Sequence, residues 1–318
     1  MSQHPLPIVI CGESLLDVFP DGRTAQGLHL DAVVGGSPLN VAIGVQRLGV
    51  PALFFGAVST DFLGERITQA LRDEGLSEAA LVACDAPTTL SLVGVDARGV
   101  PSYRFYGRGG ADRQVLPEHL ARLPDAVAAF HFGSYACVVD PIGSTLRALT
   151  LARRERSVIA YDPNVRLSVE PDLAVWRAQV DWMARHAHLI KLSDEDFGLL
   201  YPDATPDELA ARWLASGVSL VMMTQGGDGA RGWTRAGTCA VAAPAVTVRD
   251  TVGAGDTFQA ATLVALSERG RLSPAGLADL PLALVGQVMD FAARAAALTC
   301  TRRGPDLPRR HELPVLAG

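Results

Sequence analysis

Nothing in the sequence approaches the roughly 20 consecutive apolar residues that a membrane-crossing helix requires. The lead into Ile8-Val9-Ile10-Cys11 is short, polar and proline-containing, not basic and then apolar, so no secretory signal is expected. Cysteine is scarce and scattered. Cys11, Cys84, Cys137, Cys239 and Cys300 are odd in number and far apart, which fits reduced, mostly buried thiols in a cytoplasmic protein. No Cys/His cluster has zinc spacing. An excess of positive charge is also missing: a formal net charge of −6 argues against a general nucleic-acid binder, although local arginines can still meet an anionic substrate. Three fingerprints are absent as well. There is no Gly-x-x-x-x-Gly-Lys-Ser/Thr phosphate loop, no Gly-x-Gly-x-x-Gly after the first strand, and no Gly-x-Ser-x-Gly nucleophile elbow.

What is present describes an ordinary globular chain. Its 318 residues are 48% hydrophobic and 19% charged, enough for one large α/β domain or two medium ones. Ile8 to Cys11 and Ala52 to Val58 read as buried strands. From there strands at 126–132, 157–162, 188–192 and 219–224 alternate with helices near 142–156, 173–186, 207–215, 256–269 and 282–298. Near-continuous apolar strands separated by helices predict a mainly parallel sheet covered on both faces. Ser37 reads as a helix cap with Pro38 in the first turn. The runs 89–96 and 102–106 flank Ala97-Arg98-Gly99 as a β-hairpin, and 22–34 reads as a short, broken, half-exposed excursion. Together they predict a small β-sheet appendage over 15–35 and 87–112, a candidate lid on a single domain spanning 1–318.

The stretch Asp250-Thr251-Val252-Gly253-Ala254-Gly255-Asp256-Thr257-Phe258 carries the most chemistry. An alternating run, Ala245 to Val248, leads in and a helix-like run leads out. Glycines before a helix expose its first N–H groups, and those groups with the helix dipole favour an anion. Asp256 conflicts with a bound anion unless it accepts a proton. Alone, the stretch reads equally as a strand-to-helix turn with Asp256 as its cap. Position adds weight to the chemical reading. Asp17, Asp162-Pro163-Asn164-Val165-Arg166, Ser193-Asp194-Glu195-Asp196 and Thr224-Gln225-Gly226-Gly227-Asp228-Gly229 each follow a strand, and open parallel sheets bind ligands at their carboxyl edge.

These residues also carry a resemblance. Gly35-Gly36-Ser37-Pro38-Leu39-Asn40-Val41-Ala42 resembles the N-terminal signature of the ribokinase-like carbohydrate kinases of the phosphofructokinase-B group, and Asp250 to Phe258 resembles their C-terminal signature. Asp162-Pro163-Asn164-x-Arg166 and Thr224-x-Gly226-x-x-Gly229 lie between them in the expected order, so the resemblance covers nearly the whole chain. It implies a three-layer α/β/α fold and an ATP-dependent sugar kinase, with Asp256 as the base and Gly253, Ala254 and Gly255 as the anion hole. Asp17, Gly35, Gly36, Asn40, Tyr106 and Arg108 match sugar-side positions. Arg166 matches a position near the nucleotide phosphates, while its alternative is a surface arginine paired with a carboxylate. Lys191, Ser193, Thr224, Gly226 and Gly229, with Gly253 and Gly255, fall to the nucleotide. The resemblance implies Mg²⁺, with Asp196 acting through water, and a K⁺ site near Asp250, Val252, Arg302 and Gly304.

Two departures stand out. Ser193-Asp194-Glu195-Asp196 replaces the frequent Asn-x-x-Glu, and Ala293 or Arg294 replaces an asparagine common near the adenine pocket. Gly12 to Asp17 and Phe105 to Asp112 look most like bacterial fructokinases. The nearest competitor, a 2-keto-3-deoxygluconate kinase, needs a cation such as Arg104 or Arg108 for the sugar acid; ribokinase ranks lower. A non-catalytic sugar- or nucleotide-binding regulator and a nicotinamide oxidoreductase are the readings from other classes. The exposed edge of the appendage is expected to favour a homodimer.

Overall fold

The computed structural model describes residues 5–95 and 101–315. In chain order the first half contains β1 (Ile8–Cys11), β2 (Leu15–Arg23), β3 (Leu28–Gly35), α1 (Ser37–Arg47), β4 (Ala52–Phe55), β5 (Ala57–Ser59), α2 (Phe62–Asp73), β6 (Val82–Cys84), β7 (Leu90–Val95) and β8 (Pro101–Tyr106). The middle adds β9 (Ala129–Gly133), α3 (Ile142–Arg153), β10 (Val158–Asp162), α4 (Leu173–Ala184), β11 (Leu189–Ser193), α5 (Asp194–Leu200) and α6 (Pro206–Ser216). The remainder is β12 (Leu220–Thr224), β13 (Ala230–Thr234), β14 (Gly237–Val241), α7 (Ala254–Glu268), α8 (Pro274–Ala278) and α9 (Leu282–Cys300).

Eight strands form the main sheet in the order β14-β13-β12-β11-β10-β9-β1-β4. It is parallel from β12 to β4, with β13 and β14 added antiparallel at one edge. The parallel strands are apolar at successive positions because both faces are covered. In β1, Ile8 and Ile10 join one core with α1, α7 and α9, while Val9 and Cys11 join the other with α3, α4 and α6. A three-layer ribokinase-like fold results. A separate four-stranded sheet, β3-β2-β7-β8, is built from the two segments expected to form an appendage. The 97–99 turn expected to close its second hairpin lies outside the described residues.

Several expectations need correction. The 22–34 segment is part of an antiparallel hairpin: β2 and β3 pair throughout, with a register shift between Pro20 and Arg23, and the turn is closed by the Thr24 N–H bond to the Gly27 carbonyl. Its residues are mostly exposed, so the alternation that marks a half-buried strand is absent. The 52–58 run divides at Gly56, where a Cβ would meet the Gly12 carbonyl oxygen, and β5 leaves the main sheet to pair with β6. The 245–248 run forms no strand. Just beyond it, the N–H groups of Arg249 and Asp250 bond to the Cys300 carbonyl at the end of α9. Contrary to the expectation from apolar runs, α9 is long and apolar enough to cross a membrane by length and hydropathy. It includes Asp290 and Arg294, however, and packs Val285, Val288, Met289 and Phe291 into the core against α7.

Candidate active site

Strand register brings the polar loops to one edge. Cys11 lies beside Phe132, Gly133 beside Asp162, and Ser193 beside Thr224, so the chain leaves β1, β9, β10, β11 and β12 at neighbouring points of the sheet. Helix α7 begins over this edge. Its cap is Gly253, at φ 79 with Pro305 packed so close that a Cβ would lie 2.8 Å from it, so only glycine fits without strain. Asp256 is therefore no cap: it is the third residue of the helix, almost buried. The first-turn N–H groups lie where a helix supplies no carbonyl of its own; that of Ala254 donates to the Thr251 carbonyl at 3.2 Å, leaving those of Gly255 and Asp256 for a ligand.

The Asp256 carboxylate is held from across the cleft by α1. It accepts from Ser37 Oγ at 2.6 Å and Asn40 Nδ2 at 2.8 Å. Here too the expected capping is corrected: Gly36, at φ 109, caps α1, and Ser37 turns its hydroxyl toward Asp256. A Cβ on Gly36 would lie 2.7 Å from the Glu13 carbonyl oxygen, so this turn seats directly on the link between β1 and β2.

Asp17 follows β1 as expected, and it stands on a strand of its own as the third residue of β2. Its Oδ2 occupies the space that a side chain on Gly35 would need. Burial raises the Asp17 pKa, Ser91 and then Arg166 oppose that shift, and Asp256 adds to it, so these groups share one field. Arg166 follows Asn164, whose φ is 40, and its guanidinium donates to the Val165 carbonyl at 3.0 Å. The surface pairing with a carboxylate that the sequence left open is not what this geometry displays.

Beneath the α7 turn lies a buried ion pair. Lys191 Nζ, on β11, is 2.7 Å from Asp162 Oδ2 at the end of β10, both side chains being about 5% exposed or less (5% and 4%). The ammonium sits 3.1 Å from where a Cβ on Gly255 would project. Burial works against the lysine charge, but Asp162, Asp256 and Asp196 outweigh it and hold Lys191 protonated. Burial likewise pushes Asp162 up to about 6 despite the attraction of Lys191. Farther in, His131 Nδ1 is 3.2 Å from Gln259 Nε2, and burial, with Lys191, lowers its pKa to about 3. The ring is neutral.

The other expected residues divide into those on the cleft and those held elsewhere. Ser193 Oγ caps α5 by accepting from the Asp196 N–H, and Asp196 Oδ1 accepts from the Val165 N–H, tying the Arg166 loop to α5. Thr224 ends β12, and Gly226 and Gly229 take φ 51 and 96 in the turn beyond it. Asp250 clips two loops together, accepting from the Val252 N–H at 3.0 Å and the Gly304 N–H at 2.8 Å. Arg302 points its guanidinium toward the Asp306 carbonyl and Glu312, so only its backbone remains for a cation near that clip. Tyr106 is 57% exposed at the end of β8, and Arg108 is exposed in the turn beyond. Ser37 and Glu13 carry no site role in the sequence reading, and Asp162 enters only within its Asp-Pro-Asn motif; the distance in the chain between each and its partner hides the contacts.

Among the described residues no cluster of three or more His, Cys, Asp or Glu side chains is arranged to grip a metal. Asp162 Oδ1 is nevertheless buried without a hydrogen-bond partner, and Asp162 and Asp196 act on each other electrostatically. This donor set fits a hard cation reached mainly through water and phosphate oxygens.

Comparison with known proteins gives a consistent result. Residues 8–311 match the family model for "pfkB family carbohydrate kinase". A fructokinase from Rhizobium leguminosarum bv. trifolii is 34% identical over 311 residues, covering 96% of this chain and 90% of the relative. Probable fructokinase-4 of Arabidopsis thaliana is 32% identical over 321 residues, covering 97% and 96%. Among solved structures, a fructokinase with bound ATP from Xylella fastidiosa shares the fold at TM-score 0.86 and 24% identity, over 96% of each chain. A fructokinase from Vibrio cholerae O395 in fructose-, ADP- and calcium-bound form matches at TM-score 0.80 and 26% identity, over 95% of each chain.

Proposed function

The chain belongs to the pfkB family of carbohydrate kinases, and from that premise we propose that it is a fructokinase converting D-fructose and ATP to fructose 6-phosphate and ADP. A kinase that transfers phosphate to a sugar follows from the family; fructose as that sugar is supported by the fructokinase relatives and by the fructose bound to the Vibrio cholerae protein. The observation that carries the mechanism is the placement of the Asp256 carboxylate at the start of α7, gripped by Ser37 and Asn40.

Two donors leave lone pairs of this carboxylate open to a third. Asp256 takes the proton from the sugar 6-hydroxyl as that oxygen attacks the γ-phosphorus and the bond to ADP breaks. Charge gathering on the transferring group meets the Gly253-Ala254-Gly255 turn and the positive end of α7. Arg166 approaches the phosphates from the β10 loop. Asp17, Asn40 and the Gly35-Gly36 turn orient the sugar, with Tyr106 and Arg108 entering from the small sheet. Lys191 beneath Gly255, together with Ser193, Thr224, Gly226 and Gly229, lines the nucleotide side.

The family implies a divalent metal with ATP. Mg²⁺ is the ion proposed, neutralising phosphate charge, with Asp162 and Asp196 the residues that would hold its water shell. A monovalent ion, K⁺, would use backbone oxygens around the Asp250–Gly304 clip.

A phosphorylation screen with ATP and Mg²⁺ tests the substrate, comparing fructose, glucose, ribose, 2-keto-3-deoxygluconate and adenosine. Fructose is expected to give the highest kcat/KM by at least tenfold, and ADP release without sugar to run below a hundredth of the fructose rate, because the small sheet closes as a lid and excludes water. Preference for 2-keto-3-deoxygluconate would replace the reading. That acid needs a cation beside its carboxylate; β8 ends at Tyr106, where Gly107 packs on Thr89, so Arg104 lies on the strand and Arg108 in the turn beyond it, not along one strand. Turnover of any sugar excludes the non-catalytic regulator.

Leu28 and Leu30 are exposed on β3, the edge strand of the small sheet. The second copy proposed to cover this edge predicts a dimer mass by light scattering; a monomer at micromolar concentration would remove it. Five free cysteines suit a cytoplasmic setting.

A further inference from the structure

Glu13 is a buried acid for which the proposed chemistry has no use. It lies in the three-residue link between the end of β1 and the start of β2, with 1% of its surface exposed. Its Oε2 has no hydrogen-bond partner, and the Ser134 hydroxyl lies beside the carboxyl group. A partnerless buried oxygen weakens the fold, and an apolar side chain of similar volume would fill the place more favourably. Stability therefore does not account for the carboxyl.

Its surroundings are the root of the small sheet. Asp112, in the return from β8, accepts from Thr89 Oγ1 and from the Tyr135 hydroxyl at 2.9 Å. Leu16 N–H bonds to the Thr89 carbonyl, and Ala111 N–H to the Pro87 carbonyl. The Glu13 carbonyl oxygen abuts Gly36, the cap of the helix that holds Asp256. The points where β2, β3, β7 and β8 meet the core thus converge around Glu13, Asp112 and Tyr135.

We propose that Glu13 is a positioning residue for the sugar, bracing with Asp112 the root of the small sheet so that Asp17 and the 35–40 turn face the substrate. The proposal rests on reading this cleft as the sugar site. The ionisable groups that act on Glu13 are the acids Asp112, Tyr135 and Cys137 and the base Arg166. Burial pushes the Glu13 carboxyl up to about 8; the Ser134 hydroxyl pulls it down, Asp112 adds to the rise and Arg166 opposes it. Near pH 7 Glu13 is mostly protonated beside its partnered neighbour Asp112. Above about pH 8 a negative charge enters the buried root at Glu13, the sheet loosens, and sugar affinity falls without loss of the catalytic groups. A raised carboxyl pKa stabilises the fold fully below the unfolded value of 4.5 and loses that contribution as pH rises to about 8.

The experiment measures sugar KM, ATP KM and kcat from pH 6 to 9.5, with urea unfolding at the same pH values, for the full chain, Glu13→Gln and Glu13→Ala. In the unaltered protein sugar KM is expected to rise about tenfold per pH unit above 8 while ATP KM stays flat. Glu13→Gln, permanently neutral, keeps the pH 7 value, abolishes the rise, and flattens the decline in stability between pH 4.5 and 8. Glu13→Ala raises sugar KM at least tenfold at pH 7 with kcat within threefold. An alkaline rise unchanged in Glu13→Gln, or a Glu13→Ala loss falling on kcat, would overturn the proposal; if Glu13→Ala does not fold, the glutamine variant decides. Should no sugar be phosphorylated at all, the fructokinase reading fails, and the unfolding measurement still judges Glu13: a decline with pH unchanged in Glu13→Gln overturns its role.

Discussion

Asp256→Asn is expected to lower kcat at least a hundredfold while the dissociation constants for sugar and nucleotide stay within about threefold. A positioned base contributes about 10²–10⁴ to the rate, and the amide cannot accept the proton. The replacement is otherwise mild. Its amide oxygen still accepts from Asn40 Nδ2, and its NH₂ can donate to a lone pair of Ser37 Oγ, so the two contacts across the cleft survive in altered polarity. Because α1 and α7 remain joined, the loss should fall on turnover and not on binding or folding. Coupled ADP-release assays together with calorimetric titration separate the two. An unchanged kcat would end the assignment of Asp256 as the base, and an equal loss of sugar affinity would make it a binding residue.

Lys191→Met should produce the largest change in stability, about 3–5 kcal/mol at pH 8, because it strands Asp162 as a buried anion without its partner. The sign with pH follows from the carboxyl. Burial already holds Asp162 above its unfolded value of 3.8, at about 6, even with Lys191 attracting it; without the ammonium it moves higher. An acid raised in the folded state stabilises below its unfolded pKa and loses that contribution as pH rises through the folded one. The deficit of Lys191→Met relative to the unaltered protein is therefore smaller at pH 5.5, where Asp162 can take a proton, than at pH 8. Adding Asp162→Asn should recover more than half of it. Urea denaturation at both pH values gives the comparison, and a deficit independent of pH would show that lost packing, not the orphaned charge, causes it. Since the ammonium lies directly under Gly255, the same variant is expected to impair turnover in the molecules that remain folded.

The parts legible in the sequence were those whose cause is local. The turn at Asp250–Phe258 needs glycine where φ is positive, and it announces a helix by the apolar run that follows. Apolar strands at regular spacing announced the covered parallel sheet, and its order of loops brought Asp162, Ser193 and Thr224 to one edge. The β2–β3 hairpin was obscured because most of its length faces water on both sides, leaving no alternation to read. The reading of Ser37 as a cap, and the capping alternative for Asp256, failed for a related reason: each is a good capping residue by type, but a glycine with positive φ took the cap and released the side chain for the other helix.

By itself, then, the sequence determined the strand–helix alternation, the glycine turn with its aspartate, and the ordered motifs that mark a carbohydrate kinase. Tertiary structure alone decided what grips that aspartate and what lies under the turn. Ser37 and Asn40 reach Asp256 from more than 200 residues away (219 and 216), and Lys191 meets Asp162 only through the register of strands β10 and β11 with the sheet edge they share. Such contacts depend on where packed layers bring two side chains in space. Local propensity and periodicity act over a turn or a strand and do not encode that distance.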